Sequence, residues 1–143
     1  MQPFSFATAA HLICEPGSVQ RLVPLCQAWG ARSVALVTDA GVARQDFFEG
    51  VRSVFANSGV ALHVFDGVVA GAPENVISNA AQFARDVQAN LVIGLGGGSS
   101  LDVAKLVAQL AHPDCRQTLS DLYGIDKACL LYTSDAADDS LRV

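Results

Sequence analysis

Three short apolar runs along the chain predict β-strands, and longer amphipathic segments separate them. The runs are SVALVTD (33–39), ALHVFDGV (61–68) and NLVIGLG (90–96). Their apolar residues are nearly continuous, which is typical of strands in a parallel sheet that is covered on both faces. FSFATAAHLICEPG (4–17) favours a further short hairpin or an edge strand.

Apolar residues at helical spacing predict four helices, over residues 18–30, 43–59, 73–89 and 99–111. In the first, Ser18 is the candidate N-cap, Gly30 is the candidate C′ residue, and Pro24 predicts a kink or an early break. The second closes at Gly59, and the third starts with Pro73 at N1. The second helix turns one face inward, formed by Phe47, Val51, Val54 and Phe55. The third has an apolar stripe of Val76, Ile77, Ala80, Ala81, Phe83, Ala84 and Val87.

Strands that alternate with helices imply βαβ units. We therefore predict an α/β fold, a Rossmann-like parallel sheet with helices on both faces. Ligands of such sheets bind outside the carboxyl ends of the strands. Two features lie at such ends, a glycine run after the third strand and Asp39 at the end of the first.

Composition excludes several classes of protein. The 143 residues are 51% apolar and 16% charged, with a formal net charge of −5, which argues against a disordered chain and against a nucleic-acid surface. No stretch reaches ~18 uninterrupted apolar residues, so we expect no membrane span. No basic segment precedes an apolar one at the amino terminus, which argues against a secretory signal and for a cytoplasmic protein.

Cysteines and histidines give no metal pattern. No two cysteines form a C-x-x-C pair, which favours reduced, mostly buried thiols. The histidines are scattered, and because a metal site needs several converging donors, we interpret them as structural or solvent-facing. The residues concerned are Cys14, Cys26, Cys115, Cys129, His11, His63 and His112.

The sequence LVIGLGGGSSLDVAK (91–105) contains four glycines between the third strand and the last helix. Glycine lets a backbone approach a ligand closely, and the free N–H groups of a helix N-terminus suit a phosphate. Ser99 can cap this helix, and Asp102 completes a capping-box-like S-x-x-D. The alternative is a tight turn before a well-capped helix without a ligand. Three consecutive glycines exceed what a turn requires, which favours phosphate binding.

Two common nucleotide motifs do not account for this run. The P-loop is absent, since no Lys-Ser or Lys-Thr follows the glycines. The G-x-G-x-x-G fingerprint is matched only as Gly94, Gly96 and Ser99, and it follows the third strand rather than the first. The acidic strand end expected ~20 residues downstream is missing as well.

Asp39 ends the first strand. An acid at a strand end can accept both hydroxyls of an adenosine ribose and repel a 2′-phosphate, which favours NAD over NADP. The alternative is a helix N-cap or an Asx-turn. The glycine run on a neighbouring strand favours the ribose interpretation, because both features then serve one dinucleotide.

The motif GGGSSLDVAK (96–105), with LVIGL before it and the distant VTDAG (37–41), resembles the amino-terminal domain of the iron-containing (group III) alcohol dehydrogenases. FDGVVAGAPE (65–74) is similar to the family's D-G-V-V-x-x-P segment. DLYGID (121–126) resembles the stretch after the phosphate helix. The resemblance runs from about residue 10 to 128 and implies a fold like that of the dehydroquinate-synthase amino-terminal domain.

This resemblance implies oxidation of an alcohol, or reduction of an aldehyde, with NAD(P) at a divalent metal, usually iron. Asp102 and Lys105 are implied as supports of the cofactor site. One departure is Ala72, where relatives often carry a polar residue near the cofactor. The implied cofactor contacts are Asp39 with the ribose, and Gly97, Gly98 and Ser99 with the pyrophosphate.

Other parts of the family pattern have no counterpart in the sequence. These are a Thr-Thr-Ala-Gly-Thr-Gly-Ser-Glu-like loop that also touches the cofactor, and the metal ligands, an Asp and three His of a helical carboxyl-terminal domain. We therefore assign no residue of this sequence to a catalytic site or to a metal site. The stretch CLLYTSDAADD within residues 129–143 resembles a translated sequencing adapter. We expect residues 1–128 to be an NAD(P)-binding domain and 129–143 a non-native tail, with a natural acidic terminus as the alternative.

Two functions follow from these predictions. The first is the cofactor half of an iron-dependent alcohol dehydrogenase, inactive by itself, whose parent is a homo-oligomer acting on a small alcohol or aldehyde. The second is a stand-alone nucleotide-binding module, or else part of a glycerol-dehydrogenase-like enzyme. A reading frame that continues into a helical domain with the metal ligands would support the first. A strand missing beyond residue 128 would leave an unpaired sheet edge, so we expect marginal solubility.

Overall fold

The three predicted strands form one parallel sheet in the computed structural model, which describes residues 12–122. The strands β1 (Ser33–Asp39), β2 (Ala61–Val68) and β3 (Leu91–Gly94) lie in the order β2-β1-β3. The bounds of β1 and β2 are those predicted. β3 ends earlier than predicted, because Gly96 has a φ of 134° and the chain has left the extended conformation there.

β1 is the central strand. Val34 pairs with Leu62 of β2 and with Leu91 of β3, and residues 34–38 are fully buried. A strand that is covered on both faces has no solvent-exposed position, so its side chains do not alternate between apolar and polar. This explains the continuous apolar run and confirms the predicted α/β class.

Helices cover both faces of the sheet, as predicted. α1 and α3 pack against Val34 and Leu36 on one face, and α4 and α5 pack against Ala35 and Val37 on the other. Successive side chains of a strand point to opposite faces, which divides the core into these two clusters. The α-helices of the described residues are α1 (Leu22–Ala28), α2 (Ala40–Ala43), α3 (Asp46–Phe55), α4 (Glu74–Asp86) and α5 (Gly98–Leu110).

The segment predicted as one helix over 18–30 is divided. Ser18–Arg21 forms a 3-10 helix whose N-cap is Gly17, so the prediction of Ser18 as N-cap is wrong. α1 starts at Leu22 because the ring of Pro24 would collide with the carbonyl four residues earlier in a continuous α-helix. Pro24 then lies in the first turn of α1, where its missing N–H costs no hydrogen bond. The break therefore precedes the proline.

α1 ends where the position of Gly30 predicts. Gly30 has a φ of 71° and donates its N–H to the Gln27 carbonyl at 3.0 Å. The next N–H, of Ala31, donates to the Cys26 carbonyl at 2.9 Å. This pair of bonds is the Schellman motif, which confirms Gly30 as the C′ residue.

The segment predicted as one helix over 43–59 is shorter in the structure, because α3 covers only Asp46–Phe55 and Ala43 ends the preceding short helix α2. Phe47 is 54% exposed, so its predicted inward orientation is wrong, and Phe48 (1% exposed) is buried instead. Both phenylalanines lie about one turn before Val51, so spacing alone allows either of them. Phe48 is the one that enters the apolar cluster containing α1.

The other helix boundaries differ from the predictions by a few residues. α3 ends at Phe55 rather than at Gly59, because the backbone turns out of the helix at Ala56, with a ψ of 127°. Pro73 is the N-cap of α4 rather than its first residue. The buried members of the predicted α4 stripe are Ile77, Ala80, Ala81 and Ala84.

Two further expectations concern the amino terminus and membranes. Residues 12–14 form no strand, and the rest of the predicted hairpin or edge strand before them lies outside the described residues. Between residues 12 and 122, no helix has the length and apolar character needed to cross a bilayer.

Candidate functional site

Gly94, the last residue of β3, is required by packing. An ideal Cβ at this position would lie 2.9 Å from the Cβ of Ala104 and 3.2 Å from the Cδ2 of Leu101. Both neighbours belong to α5. The helix therefore approaches the end of β3 at a distance that excludes a side chain, and this glycine serves the fold.

Gly96 is required by its backbone and by its surroundings. Its φ of 134° is rarely adopted by residues with a side chain. An ideal Cβ would also lie 3.1 Å from the Oγ of Ser100 and 3.3 Å from the Oδ2 of Asp39. At this residue the loop after β3 therefore meets the end of β1.

Gly97 and Gly98 lack any such requirement within residues 12–122. No atom lies within 4 Å of an ideal Cβ on either residue, and neither has φ in the left-handed region. Both are exposed. Because glycine loses more conformational freedom on folding than any other residue, a glycine at the helical position 98 is unfavourable for the fold. The open backbone is available to a group from outside the chain.

The N-terminus of α5 lies at these two glycines. Gly97 is the N-cap, with extended backbone (ψ −176°), and no described side chain caps the helix. The prediction that Ser99 caps it is wrong, because Ser99 is already the second helical residue. The capping box is absent too: the exposed Asp102 has its Oδ1 4.0 Å from the Nζ of Lys105. No acidic side chain lies in the first turn of this 13-residue helix, so its positive end has no anion from its own residues.

Asp39 lies beside the glycine loop, because Val37 of β1 pairs with Gly94 of β3. Its Oδ1 accepts the N–H of Val42 at 2.9 Å and caps α2. Its Oδ2 lies 3.3 Å from an ideal Cβ on Gly96. The N-cap interpretation is therefore correct for Oδ1, whereas Oδ2 is directed at the glycine loop. The structure brings Asp39 and the glycines together at one edge of the sheet.

The loop after β2 reaches the same edge and is strained. Gly71 and Ala72 have φ of 79° and 42°. For alanine the left-handed conformation costs about 1–2 kcal/mol, and a residue before proline, here Pro73, is normally extended. The strain thus lies at Ala72, immediately before Pro73.

Two neighbours of Asp39 were not predicted from the sequence. An ideal Cβ on Gly41 would lie 2.9 Å from the Oδ1 of Asp39, and the available signal was a glycine two residues after the strand-end acid. Thr38 is fully buried, and among the described residues its Oγ1 has no hydrogen-bond partner. A single threonine in an apolar strand carries no signal of this kind.

The described cysteines are free thiols in different surroundings. Cys26 is buried, and loss of solvent raises the pKa of its thiol to about 11, so it stays protonated at neutral pH. Cys115 is half-buried. Cys14 is exposed, so the prediction of mostly buried thiols is wrong there, and Cys129 lies outside the described residues.

The described histidines belong to no cluster of three or more metal-binding side chains. His112 accepts the N–H of Asp114 through Nδ1 at 3.2 Å, and His63 is half-buried on β2. His11 lies outside the described residues. Across residues 12–122, no three His, Cys, Asp or Glu side chains are placed to hold a metal ion. These residues do not fit an iron site, and no chemical step through a metal is assigned to them.

A groove of about 740 Å³ lies at the opposite end of β3. Its lining includes Arg85, Asn90, Leu91 and Cys115. Leu91 begins β3, whereas the glycine loop follows the end of that strand. Since parallel sheets bind ligands at the carboxyl ends of their strands, this groove is separate from the candidate site.

Fold and site define a parallel α/β domain in which two glycines leave a helix N-terminus open beside a strand-end carboxylate. Residues 9–134 match the family of iron-containing alcohol dehydrogenases, and the chain belongs to that family. The match extends past residue 128 into the first residues of the segment that we expected to be a tail.

Two curated relatives show how much of such a protein is present. Long-chain-alcohol dehydrogenase 1 of Geobacillus thermodenitrificans (strain NG80-2) is 39% identical over 98 residues, which are 68% of this chain and 25% of that protein. The 4-hydroxybutyrate dehydrogenase of Cupriavidus necator is 34% identical over 101 residues, covering 71% and 26%. The chain spans about a quarter of the length of these relatives.

Solved structures agree with the fold. The NADH-dependent butanol dehydrogenase A of Thermotoga maritima superimposes with a TM-score of 0.71, over 80% of this chain and 29% of that one, at 23% identity. A 1,3-propanediol oxidoreductase gives a TM-score of 0.68, over 73% and 27%, at 22% identity. At these identities the likeness shows the fold alone, and it confirms the predicted fold class.

Proposed function

We propose that this chain is the cofactor-binding amino-terminal part of an NAD-linked, iron-dependent alcohol dehydrogenase. Membership of the family and the names of the relatives support the reaction class. Residues 1–128 form the NAD(P)-binding domain, and 129–143 are a non-native tail. The parent is a cytoplasmic homo-oligomer that acts on a small alcohol or aldehyde and holds its metal outside this chain.

The open backbone at Gly97 and Gly98 carries the proposal. A pyrophosphate placed there meets the free N–H groups of the first turn of α5 and the positive end of its dipole. The hydroxyl of Ser99 can donate a further hydrogen bond to a phosphate oxygen. This accounts for two glycines that the fold does not require.

Asp39 binds the adenosine ribose in this proposal. Its carboxylate lies at the loop that receives the pyrophosphate, and carboxylate oxygens accept the hydrogen bonds of ribose hydroxyls. The negative charge repels a 2′-phosphate, which favours NAD over NADP. Bound NAD supplies hydride transfer in the parent, and this domain positions it.

The open space at Gly98 can be tested by filling it. Gly98→Ala adds a methyl group where no atom of the chain lies within 4 Å, at a helical position where alanine is preferred to glycine. We expect unchanged or higher stability and about tenfold weaker NAD binding, roughly the loss of one charge-assisted hydrogen bond. Calorimetric titration with NAD and NADP measures the affinities.

Gly50→Ala is the matched control. Gly50 also lies in a helix, α3, with no atom within 4 Å of an ideal Cβ, and it is remote from the site. We expect its NAD affinity to equal that of the unchanged chain. Equal affinities of the Gly98→Ala and Gly50→Ala variants would contradict a pyrophosphate at α5. Equal affinity of the unchanged chain for NAD and NADP would contradict the role of Asp39.

The 143-residue chain should lack dehydrogenase activity, because its described residues present no set of metal ligands. The purified chain is incubated with ferrous iron, NAD and a primary alcohol, and NADH formation is followed by absorbance. We expect a rate equal to that of the protein-free blank. Iron-dependent alcohol oxidation above the blank would contradict this part of the proposal.

A further inference from the structure

Gly41 is a helical glycine that the backbone does not require. It lies in α2, its φ is outside the left-handed region, and glycine in a helix is less favourable than alanine. Its missing side chain leaves space for one group, because an ideal Cβ would lie 2.9 Å from the Oδ1 of Asp39.

The Asp39 carboxylate cannot easily avoid such a Cβ. Its Oδ1 is held by the N–H of Val42 at 2.9 Å. Its Oδ2 lies in the space left by the missing side chain of Gly96, where an ideal Cβ would be 3.3 Å away. The missing side chains of Gly41, on α2, and Gly96, in the loop after β3, thus leave the space that the carboxylate occupies in this orientation.

We propose that Gly41 is a positioning residue for Asp39, which together with Gly96 forms a slot that holds the carboxylate toward the glycine loop. A side chain at position 41 would push Oδ1 away from Val42 and turn Oδ2 away from its place beside Gly96. The slot is a property of the chain itself, and its effect on NAD rests on the function proposed above.

The slot can be tested without any cofactor. Urea unfolding compares Gly41→Ala with Gly50→Ala, which makes the same exchange in a helix without a nearby atom. We expect a lower urea midpoint for Gly41→Ala only. In an Asp39→Ser background, which keeps a capping hydroxyl and removes the carboxylate, Gly41→Ala should no longer lower the midpoint.

Either of two results would overturn the slot. One is an equal midpoint for Gly41→Ala and Gly50→Ala, and the other is the same loss with and without the Asp39 carboxylate. If Gly41→Ala does not fold at all, the double variant with Asp39→Ser must fold, and its failure to do so would equally overturn the proposal.

Calorimetric titration tests the consequence for the cofactor. We expect Gly41→Ala to bind NAD about tenfold more weakly, while its NADP affinity changes less, so that discrimination between the two shrinks. A general loss of structure would weaken both equally and leave the ratio unchanged, which would contradict a positioning role. If the unchanged chain binds neither dinucleotide, the proposed function fails, and the urea comparison still decides the slot.

Discussion

The loop from β3 to α5 and the loop from β2 to α4 leave the same edge of the sheet, but they use glycine differently. The first has glycine at its left-handed position, Gly96, and two further glycines that no conformation or contact requires. The second forces Ala72 into the left-handed region at a φ of 42°, immediately before a proline.

This difference distinguishes the glycines that the fold requires from those that it does not require. A loop shaped only by folding would place glycine where φ is positive or where packing excludes a side chain, since glycine is otherwise unfavourable. The β3–α5 loop has more glycine than this rule demands, and the β2–α4 loop has less. The excess lies at a helix N-terminus beside Asp39, which is why we assign the ligand to that loop.

Gly96→Ala should have the largest effect on stability. The methyl group would meet Ser100 and Asp39 at 3.1–3.3 Å in a conformation that alanine rarely adopts. We expect a loss of about 3 kcal/mol in the free energy of unfolding, measured by urea denaturation. Gly98→Ala, two residues further on, is the control and should lose nothing. Equal losses at both positions would remove the distinction between required and surplus glycines.

Gly94→Ala should have the next largest effect, because it brings a Cβ to 2.9 Å from that of Ala104. Overpacking of this kind costs about 2 kcal/mol. If the contact with α5 is the cause, Ala104→Gly should offset part of the loss, and the two changes should not be additive in a double-mutant cycle. Additive losses would show that Gly94 is required for another reason.

Ala72→Gly tests the second loop from the opposite direction. Removing the side chain should relieve the left-handed strain and raise the free energy of unfolding by about 1 kcal/mol. Ala72→Asn should gain less, since asparagine tolerates this region better than alanine does. Ala70→Gly is the control in the same loop, where φ is not positive, and it should destabilise slightly. A loss on Ala72→Gly would show that this backbone is unstrained.

Much of the fold was predictable because the signals are local. The apolar runs of β1 and β2 and the cap at Gly30 require only neighbouring residues, and they are confirmed. The choice of Phe48 over Phe47 depends on packing against α1, a contact distant in sequence. For that reason, residue spacing alone could not predict which of the two phenylalanines is buried.

The location of the candidate site was predictable from the sequence, but the arrangement of its residues was not. A strand-end acid and a glycine run imply one edge of a parallel sheet, and the structure brings them together there. The cap expected at Ser99 moved to Gly97, because the helix begins before the first residue with a capping side chain. The slot formed by Gly41 and Gly96 depends on distances between three elements, which no linear motif specifies.

Thr38 lies near the end of β1, between the two loops, and its substitution should have the smallest effect on stability. Its hydroxyl is fully buried and has no hydrogen-bond partner within residues 12–122. It is therefore a polar group that the fold does not use, just as Gly97 and Gly98 are glycines that the fold does not require. Thr38→Val should therefore raise the free energy of unfolding in urea by roughly 0.5–1 kcal/mol, since a buried unpaired hydroxyl is unfavourable.

Thr118→Val is the matched control, because its hydroxyl is used. The Thr118 N–H and hydroxyl both donate to the Asp121 carboxylate, at 2.7 Å each, and these hydrogen bonds hold the pKa of that carboxyl below its usual value. The change should raise the pKa of Asp121 toward normal in an NMR titration and give no gain in stability. A loss of stability on Thr38→Val would mean that the hydroxyl serves the fold, and the set of features at this edge that the fold does not need would then be limited to Gly97 and Gly98.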